Sequence, residues 1–312
     1  MTQIIQNEIT HRLRQILDEE GLSQTAIAKE MGMSGAALSL YLSGTYKGDN
    51  VALEQIINRW LTMRENTTQM RVLDPELMPF VETPTAKNIL AVYHYNQVRG
   101  GLGTIVSGAG LSKTRCARYY KERAPNVWYV DATWVSSTPA GFLREIAQVM
   151  NVQTVSALPA DLYRGLCEKM SGSRGLLIID EGQYLHTKTL QQITCLRDAS
   201  RCGIVIQGNE RILGGMQSAL AQVSSRVGKR LMLTKPTPQD LDAMLRGWEQ
   251  YMQLPPDALG GPIQQFFSTL CQKEGSLRLV SETLTLAYYT DGEKIDLKSI
   301  RAAWRQQGGA ST

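Results

Sequence analysis

Four short runs, Gly103–Ser107, Asn126–Asp131, Gly175–Asp180 and Cys202–Gln207, are apolar on both faces and are separated by stretches with helical period. A strand that buries both faces needs cover on both sides, and strands joined through helices pair in parallel. From about Asn88 to Lys235 the chain is therefore expected to form a parallel sheet with helices on each side. After Pro236 and Pro238 the pattern turns helical to the end, and the residues through about Arg64 are helical by period as well. Residues 65–87 carry three prolines and polar clusters and read as a linker. The expected organisation is a helical domain over 1–64, a linker over 65–87, an α/β core over 88–235 and a helical domain over 236–312. At 312 residues the chain has ample length for one sizeable core.

Charge is distributed unevenly. Residues 71–235 hold 20 Lys and Arg against 12 Asp and Glu, a net +8, whereas the segments before and after are each net −2. A basic middle segment attracts polyanions, and a phosphate site would use part of that charge. No apolar run approaches the roughly 18 residues a membrane span needs. The first residues show neither a basic leader nor a signal-type apolar core, so a cytoplasmic protein without a membrane partner is expected. The five cysteines lack CxxC pairing and read as free thiols, and with three histidines no His/Cys metal cluster is suggested.

Within the first segment, Ser23 and Ser34 are placed to cap two short helices, with Gly32 supplying the turn between them. Ile27, Met31, Leu38 and Tyr41 fall on the face that would pack, and Ala28 is small enough for close approach. This spacing resembles the helix-turn-helix of repressor-type DNA-binding domains. The exposed face of the second helix offers Ser34, Gly35, Ala36 and Ser39, followed by Tyr46 and Lys47. It lacks the Arg, Asn and Gln side chains that read base edges, so the shape is better specified than sequence-specific recognition.

The first apolar strand runs into Ser107, Gly108, Ala109, Gly110, Leu111, Ser112, Lys113 and Thr114, and a helical pattern follows. A strand, a small-residue loop, Lys-Thr and a helix suit a nucleotide phosphate chain. Backbone N–H groups of the loop and the helix N-terminus face the phosphates. Lys113 would reach the β- and γ-phosphates of ATP, and Thr114 would place its hydroxyl on Mg²⁺. Ser107 and Ser112 stand where the GxxxxGK[ST] pattern has glycines. A serine forced to positive φ costs about 1–2 kcal/mol.

Further along, Gly175–Ile179 is uncharged and ends in Asp180 and Glu181. Asp180 would hold a magnesium-bound water, and Glu181 would polarise the water that attacks the γ-phosphate. The strand carrying Asp180 is expected to neighbour the strand before the phosphate loop. The fourth strand ends at Gly208–Asn209, and Asn209 would orient the attacking water or contact the γ-phosphate. Arg278, early in a C-terminal helix, occupies the place of a second nucleotide sensor. Arg226 and Arg230 are candidates for a charge donated in trans to a neighbouring subunit's site, with Arg226 favoured.

With these residues in place, the chain resembles the Mu B-type family of AAA+ transposition proteins, P-loop ATPases that select target DNA. The resemblance covers nearly the whole chain. It rests on YKGDN (46–50), FVETPTAK (80–87), NVWYV (126–130), IIDE (178–181), GNERI (208–212), SRVGKR (225–230) and the turn at Gly275–Arg278. It implies an α/β AAA+ core flanked by a helix-turn-helix domain and a C-terminal helical domain, with ATP and Mg²⁺ as cofactors. It also implies largely nonspecific binding to double-stranded DNA, and ATP-dependent assembly into a homo-oligomeric filament or ring. Delivery of DNA to a phage transposase, stimulation of strand transfer, and transposase-triggered ATP hydrolysis giving target immunity in the bacterial cytoplasm follow from the same resemblance. Lys188, Arg197, Arg201, Lys229 and Arg230 are the basic candidates for DNA contact. Two other readings share parts of this pattern: a helicase-loader-like or insertion-sequence accessory ATPase, and an ATP-switched helix-turn-helix transcription regulator.

Overall fold

The computed structural model describes residues 9–17, 23–72, 75, 77–153, 156–213, 227–291 and 295–309. They fall into two compact units, Met1–Leu77 and Met78–Thr312. Among the described residues no helix is long and apolar enough to cross a membrane.

Among the described residues, the regular structure of the first unit is all helical. Helix α1 spans Gln24–Glu30, α2 spans Gly35–Leu42 and α3 spans Asn50–Val72, preceded by a helical segment over residues 9–17. Both expected caps form: the Ser23 hydroxyl accepts a hydrogen bond from the Ala26 N–H, and Ser34 accepts one from Ala37. Gly32 turns the chain at φ 70°, a backbone conformation that a side chain would strain. Ile27, Leu38 and Tyr41 are buried with Ile9, Leu13, Leu53 and Ile57, while Met31 packs at the margin of this core. Helix α3 continues to Val72, so the first part of the stretch expected as a linker is helical.

The second unit is built on a five-stranded sheet: β1 (Leu102–Ser107), β2 (Val127–Asp131), β3 (Leu176–Asp180), β4 (Gly203–Gly208) and β5 (Val227–Leu233). Its order is β2-β3-β4-β1-β5, and every pairing is parallel. Alternate residues of the strands feed two cores. On one face Ile105, Ile178 and Val205 pack against α4 (Pro84–Arg99) and α5 (Lys113–Arg123), through Ile89, Tyr93, Cys116 and Ala117. On the other, Leu177, Ile179, Ile204 and Ile206 meet α6 (Pro139–Val149), α7 (Pro159–Met170) and α8 (Thr187–Ser200). Each fully buried Leu or Ile side chain contributes about 1.5–3 kcal/mol from removal of apolar surface, and the doubly covered sheet concentrates these residues.

Strand β5 was not among the expected strands. Its sequence, VGKRLML, puts Lys229 and Arg230 at mid-strand, which breaks the apolar signature of the other four. It pairs with β1 alone and lies at the sheet edge, where charged residues discourage pairing with other chains.

Four further helices follow among the described residues: α9 (Pro238–Tyr251), α10 (Pro262–Leu270), α11 (Ser276–Asp291) and α12 (Leu297–Gln306). Asp240 joins them to the sheet layer. Its buried carboxylate accepts hydrogen bonds from the N–H and hydroxyl of Thr85 (both 2.7 Å) and from those of Thr237 (2.7 and 2.8 Å). One carboxylate thus caps the first turns of α4 and α9 together. Burial pushes the Asp240 carboxyl up, but the Thr85 and Thr237 bonds outweigh it and hold the group below the ordinary carboxylate range. The stabilisation is then present above the unfolded value near pH 4 and is lost as pH falls through the lower folded value. Asp240→Asn turns an NH₂ toward these donors. It is expected to destabilise the unit by about 3 kcal/mol, read as a drop of the melting midpoint at pH 7. The difference from wild type should shrink in acid; equal midpoints at pH 7 would remove this role.

Candidate nucleotide site

The loop after β1 takes the shape that the sequence required. Gly110 (φ 82°) and Ser112 (φ 59°) are both left-handed, so Ser112 adopts the conformation in which a side chain is strained. Leu111 is buried and anchors the loop, while Gly108 and Ala109 are exposed. The first N–H groups of α5, beginning at Lys113, point toward the space above the loop because a helix start lacks internal acceptors for them.

Lys113 folds back over its own loop. Its ammonium donates to the Ser107 carbonyl (3.0 Å), the Ser107 hydroxyl (2.8 Å) and the Gly108 carbonyl (2.9 Å). The hydroxyl of the serine that replaces the first glycine therefore supplies one of the three acceptors that hold this cation. Burial pushes the Lys113 pKa below the usual lysine range; Asp180 and Glu181 pull it upward, and Arg278 lowers it. The cation therefore lies among two carboxylates and a second cation.

Asp180 ends β3 and is almost fully buried. One carboxylate oxygen accepts the Thr114 hydroxyl at 2.6 Å, and the other accepts the Glu181 N–H at 2.8 Å. A hydroxyl and a carboxylate in contact are hard oxygen donors, and they fit Mg²⁺, which takes one or two protein oxygens and fills its octahedron with water and phosphate. Glu181 has φ 53°, and its carboxylate accepts the Gln183 side-chain N–H. The Gln183 side-chain carbonyl in turn accepts the Asn209 backbone N–H at 3.2 Å. This connects the end of β3 to the end of β4.

Two expectations change. The strands carrying the phosphate loop and Asp180 are not neighbours, because β4 lies between β1 and β3. Thr114 still reaches Asp180 because α5 packs across the sheet face that Asp180 shares with Ile178 and Val205. Asn209 does stand at the end of β4, but its side-chain carbonyl accepts the Arg211 N–H at 3.0 Å and caps the next turn. The buried polar side chain between the two strands is Gln207, whose carbonyl accepts the Tyr93 hydroxyl. Tyr93 also lies 3.4 Å from the Lys113 carbonyl. Tyr93, Gln183 and Gln207 carry no spacing signal; only pairing across the sheet brings them together.

The C-terminal helices close the site. A Cβ added to Gly110 would lie 1.8 Å from the Gly275 carbonyl oxygen and 3.3 Å from the Arg278 nitrogen, so the loop and this turn are in backbone contact. Arg278 is exposed on the first turn of α11, and its charge is felt at Lys113. Arg226 lies outside the described residues. Arg230 and Lys229 lie on the edge strand β5, with the Lys229 ammonium 5.2 Å from the centre of the Tyr95 ring.

Comparison with known proteins agrees with this arrangement. Residues 97–214 match the model of an AAA domain, and residues 225–307 match that of the Mu B transposition protein, C terminal. The ATP-dependent target DNA activator B of Escherichia phage Mu is 27% identical over 308 residues, covering 96% of this chain and 95% of the relative. The Mu-like prophage FluMu DNA transposition protein B of Haemophilus influenzae is 26% identical over 281 residues, covering 88% and 94%. Among solved structures, the Aeropyrum pernix ORC2 protein in ADPNP–ADP complexes superposes with a TM-score of 0.57 at 18% identity, covering 76% of this chain and 71% of that one. The Aeropyrum pernix ORC1 protein in complex with DNA gives 0.55 at 19% identity, covering 76% and 69%. These two likenesses concern the fold. With an AAA domain matched over the sheet, a Mu B-type C-terminal region matched where the chain closes on the phosphate loop, and relatives matched over 88–96% of its length, the chain is similar to the Mu B-type AAA+ transposition proteins.

Proposed function

We propose that this chain binds and slowly hydrolyses ATP, assembles on double-stranded DNA in the ATP-bound state, and delivers that DNA to a phage transposase for strand transfer. The observation that carries the reading is the contact of Gly110 with the Gly275–Arg278 turn, which gathers Lys113, Thr114, Asp180, Glu181 and Arg278 around one loop. Relatives named as an ATP-dependent target DNA activator and a DNA transposition protein supply the biological setting.

The residues have distinct tasks. Lys113 exchanges its loop acceptors for phosphate oxygens, and the N–H groups of Gly108–Lys113 surround the phosphates. Thr114 and Asp180 would hold Mg²⁺, which when bound would supply positive charge to the phosphates. Glu181 accepts a proton from the attacking water, and Gln183 fixes the orientation of that carboxylate. Asn209 bonds the water or the γ-phosphate once its side chain leaves the Arg211 N–H. Arg278 contacts the γ-phosphate from the C-terminal side. In a filament or ring, Arg226 or Arg230 of one subunit reaches the ATP of the next, so nucleotide and DNA affinity are coupled. Transposase contact triggers hydrolysis and release, the basis of target immunity. These events belong in the bacterial host cytoplasm.

Such a protein grips DNA through its phosphates, with the basic middle segment as the attracting charge. Binding to random-sequence duplex, measured with and without ATP across a salt series, tests the reading. ATP-dependent affinity that is indifferent to sequence should fall about a thousandfold or more from 50 to 200 mM salt. A preferred site that persists without ATP would point to a transcription regulator instead.

A further inference from the structure

Asp131 ends β2 in register with Asp180 on β3, so two carboxylates stand side by side at the C-terminal ends of the strands, where the nucleotide site lies. Adjacent strands are about 4.8 Å apart, and two like charges at that spacing repel. Tyr129, two residues earlier on the same face, reaches both. Its hydroxyl donates to Asp131 and lies 3.1 Å from the Asp180 oxygen that also accepts Thr114. Asp131 is exposed and has water as an alternative partner, whereas Asp180 is buried and depends on protein donors. Asp180 thus accepts the Glu181 N–H on one oxygen and the Thr114 hydroxyl on the other, and the single proton of the Tyr129 hydroxyl is shared between that second oxygen and Asp131.

We propose that Tyr129 is a positioning residue whose hydroxyl fixes the orientation of the Asp180 carboxylate against Asp131 and so sets the Mg²⁺ requirement for nucleotide binding. This rests on the assignment of Thr114 and Asp180 to Mg²⁺ above. Outer partners of a ligating carboxylate tune metal affinity by orienting it, and losing one costs about ten- to a hundredfold. The phenol is well suited to the task. It keeps a hydrogen-bond donor between two acceptors without adding charge, and its ring packs with the α4–α5 core face.

The test is a titration of Mg²⁺ into the full chain with a fluorescent ADP analogue, for wild type, Tyr129→Phe and Asp180→Asn, with parallel binding in EDTA. Phenylalanine keeps the ring and removes only the hydroxyl, and the ligand-free melting midpoint reports whether the fold is kept. The expected result is a Mg²⁺ midpoint about tenfold higher for Tyr129→Phe, with unchanged affinity in EDTA. Asp180→Asn should lose most of the Mg²⁺ response. An unchanged midpoint in Tyr129→Phe beside a lost response in Asp180→Asn would overturn the role of Tyr129 and leave the site intact. Equal weakening with and without Mg²⁺ would mark a packing role and also overturn it. A full Mg²⁺ response in Asp180→Asn would remove the site assignment and this inference with it.

Discussion

Lys113→Ala is expected to lower ATP turnover at least a hundredfold, because it removes the one loop cation aimed at developing phosphate charge in a partly dry site. The fold should survive this change. Three acceptors hold the ammonium at 2.8–3.0 Å in the wild-type chain, yet burial pulls its pKa down, so the charge is kept in place against a desolvation cost. The two terms oppose each other, and the melting midpoint should move by only about 2 °C in either direction. Electron microscopy with DNA and ATP should show filaments or rings of wild type and none of the variant. Wild-type turnover in Lys113→Ala would sink the nucleotide-site reading; monomers of both proteins under assembly conditions would sink ATP-driven assembly alone.

Gly110→Ala should damage function and stability together. The new methyl would meet the Gly275 carbonyl oxygen at 1.8 Å, a backbone atom that cannot swing aside, in a residue with φ 82°. Overpacking of this kind costs about 1–3 kcal/mol, and left-handed backbone in a non-glycine residue adds about 1–2 kcal/mol. A melting midpoint lower by roughly 5–10 °C is expected for a unit of this size. The gentler escape is separation of the loop from the Gly275–Arg278 turn. That route would preserve the melting midpoint but remove Arg278 from the site, and turnover would still collapse. Gly108→Ala is the control for stability alone, since nothing stands within 4 Å of a Cβ there. If Gly110→Ala kept both wild-type turnover and wild-type stability, the closed contact between loop and turn would be refuted.

Much of this arrangement was legible before any coordinates. Strands β1, β3 and β4 are legible because burial on both faces leaves mostly apolar residues, and β2, half-buried at the other sheet edge, still carries the apolar run Val127–Val130; each lies within a residue or so of its expected ends. The caps at Ser23 and Ser34 and the positive φ of Ser112 were equally local, each fixed by the chemistry of one turn. Strand β5 escaped because an edge strand is covered less completely and tolerates Lys229 and Arg230. The helical end of the expected linker escaped because prolines at 75, 79 and 84 dominated the pattern, although the nearest of them lies beyond Val72.

The phosphate site shows the same division. By itself the sequence determined that a loop ending in Lys113–Thr114 and a strand ending in Asp180–Glu181 belong to one parallel sheet, because each motif is a short contiguous run with its own backbone preference. Only the tertiary structure decided that β4 separates those two strands, that Gln183 rather than bare proximity connects Glu181 to Asn209, and that Tyr129 stands between Asp131 and Asp180. It also decided that Gly110 must be glycine for the sake of a carbonyl 165 positions further on, at Gly275. Strand order and long-range contact depend on how whole faces pack, and a packed face is shared by residues whose separation along the chain carries no period to read.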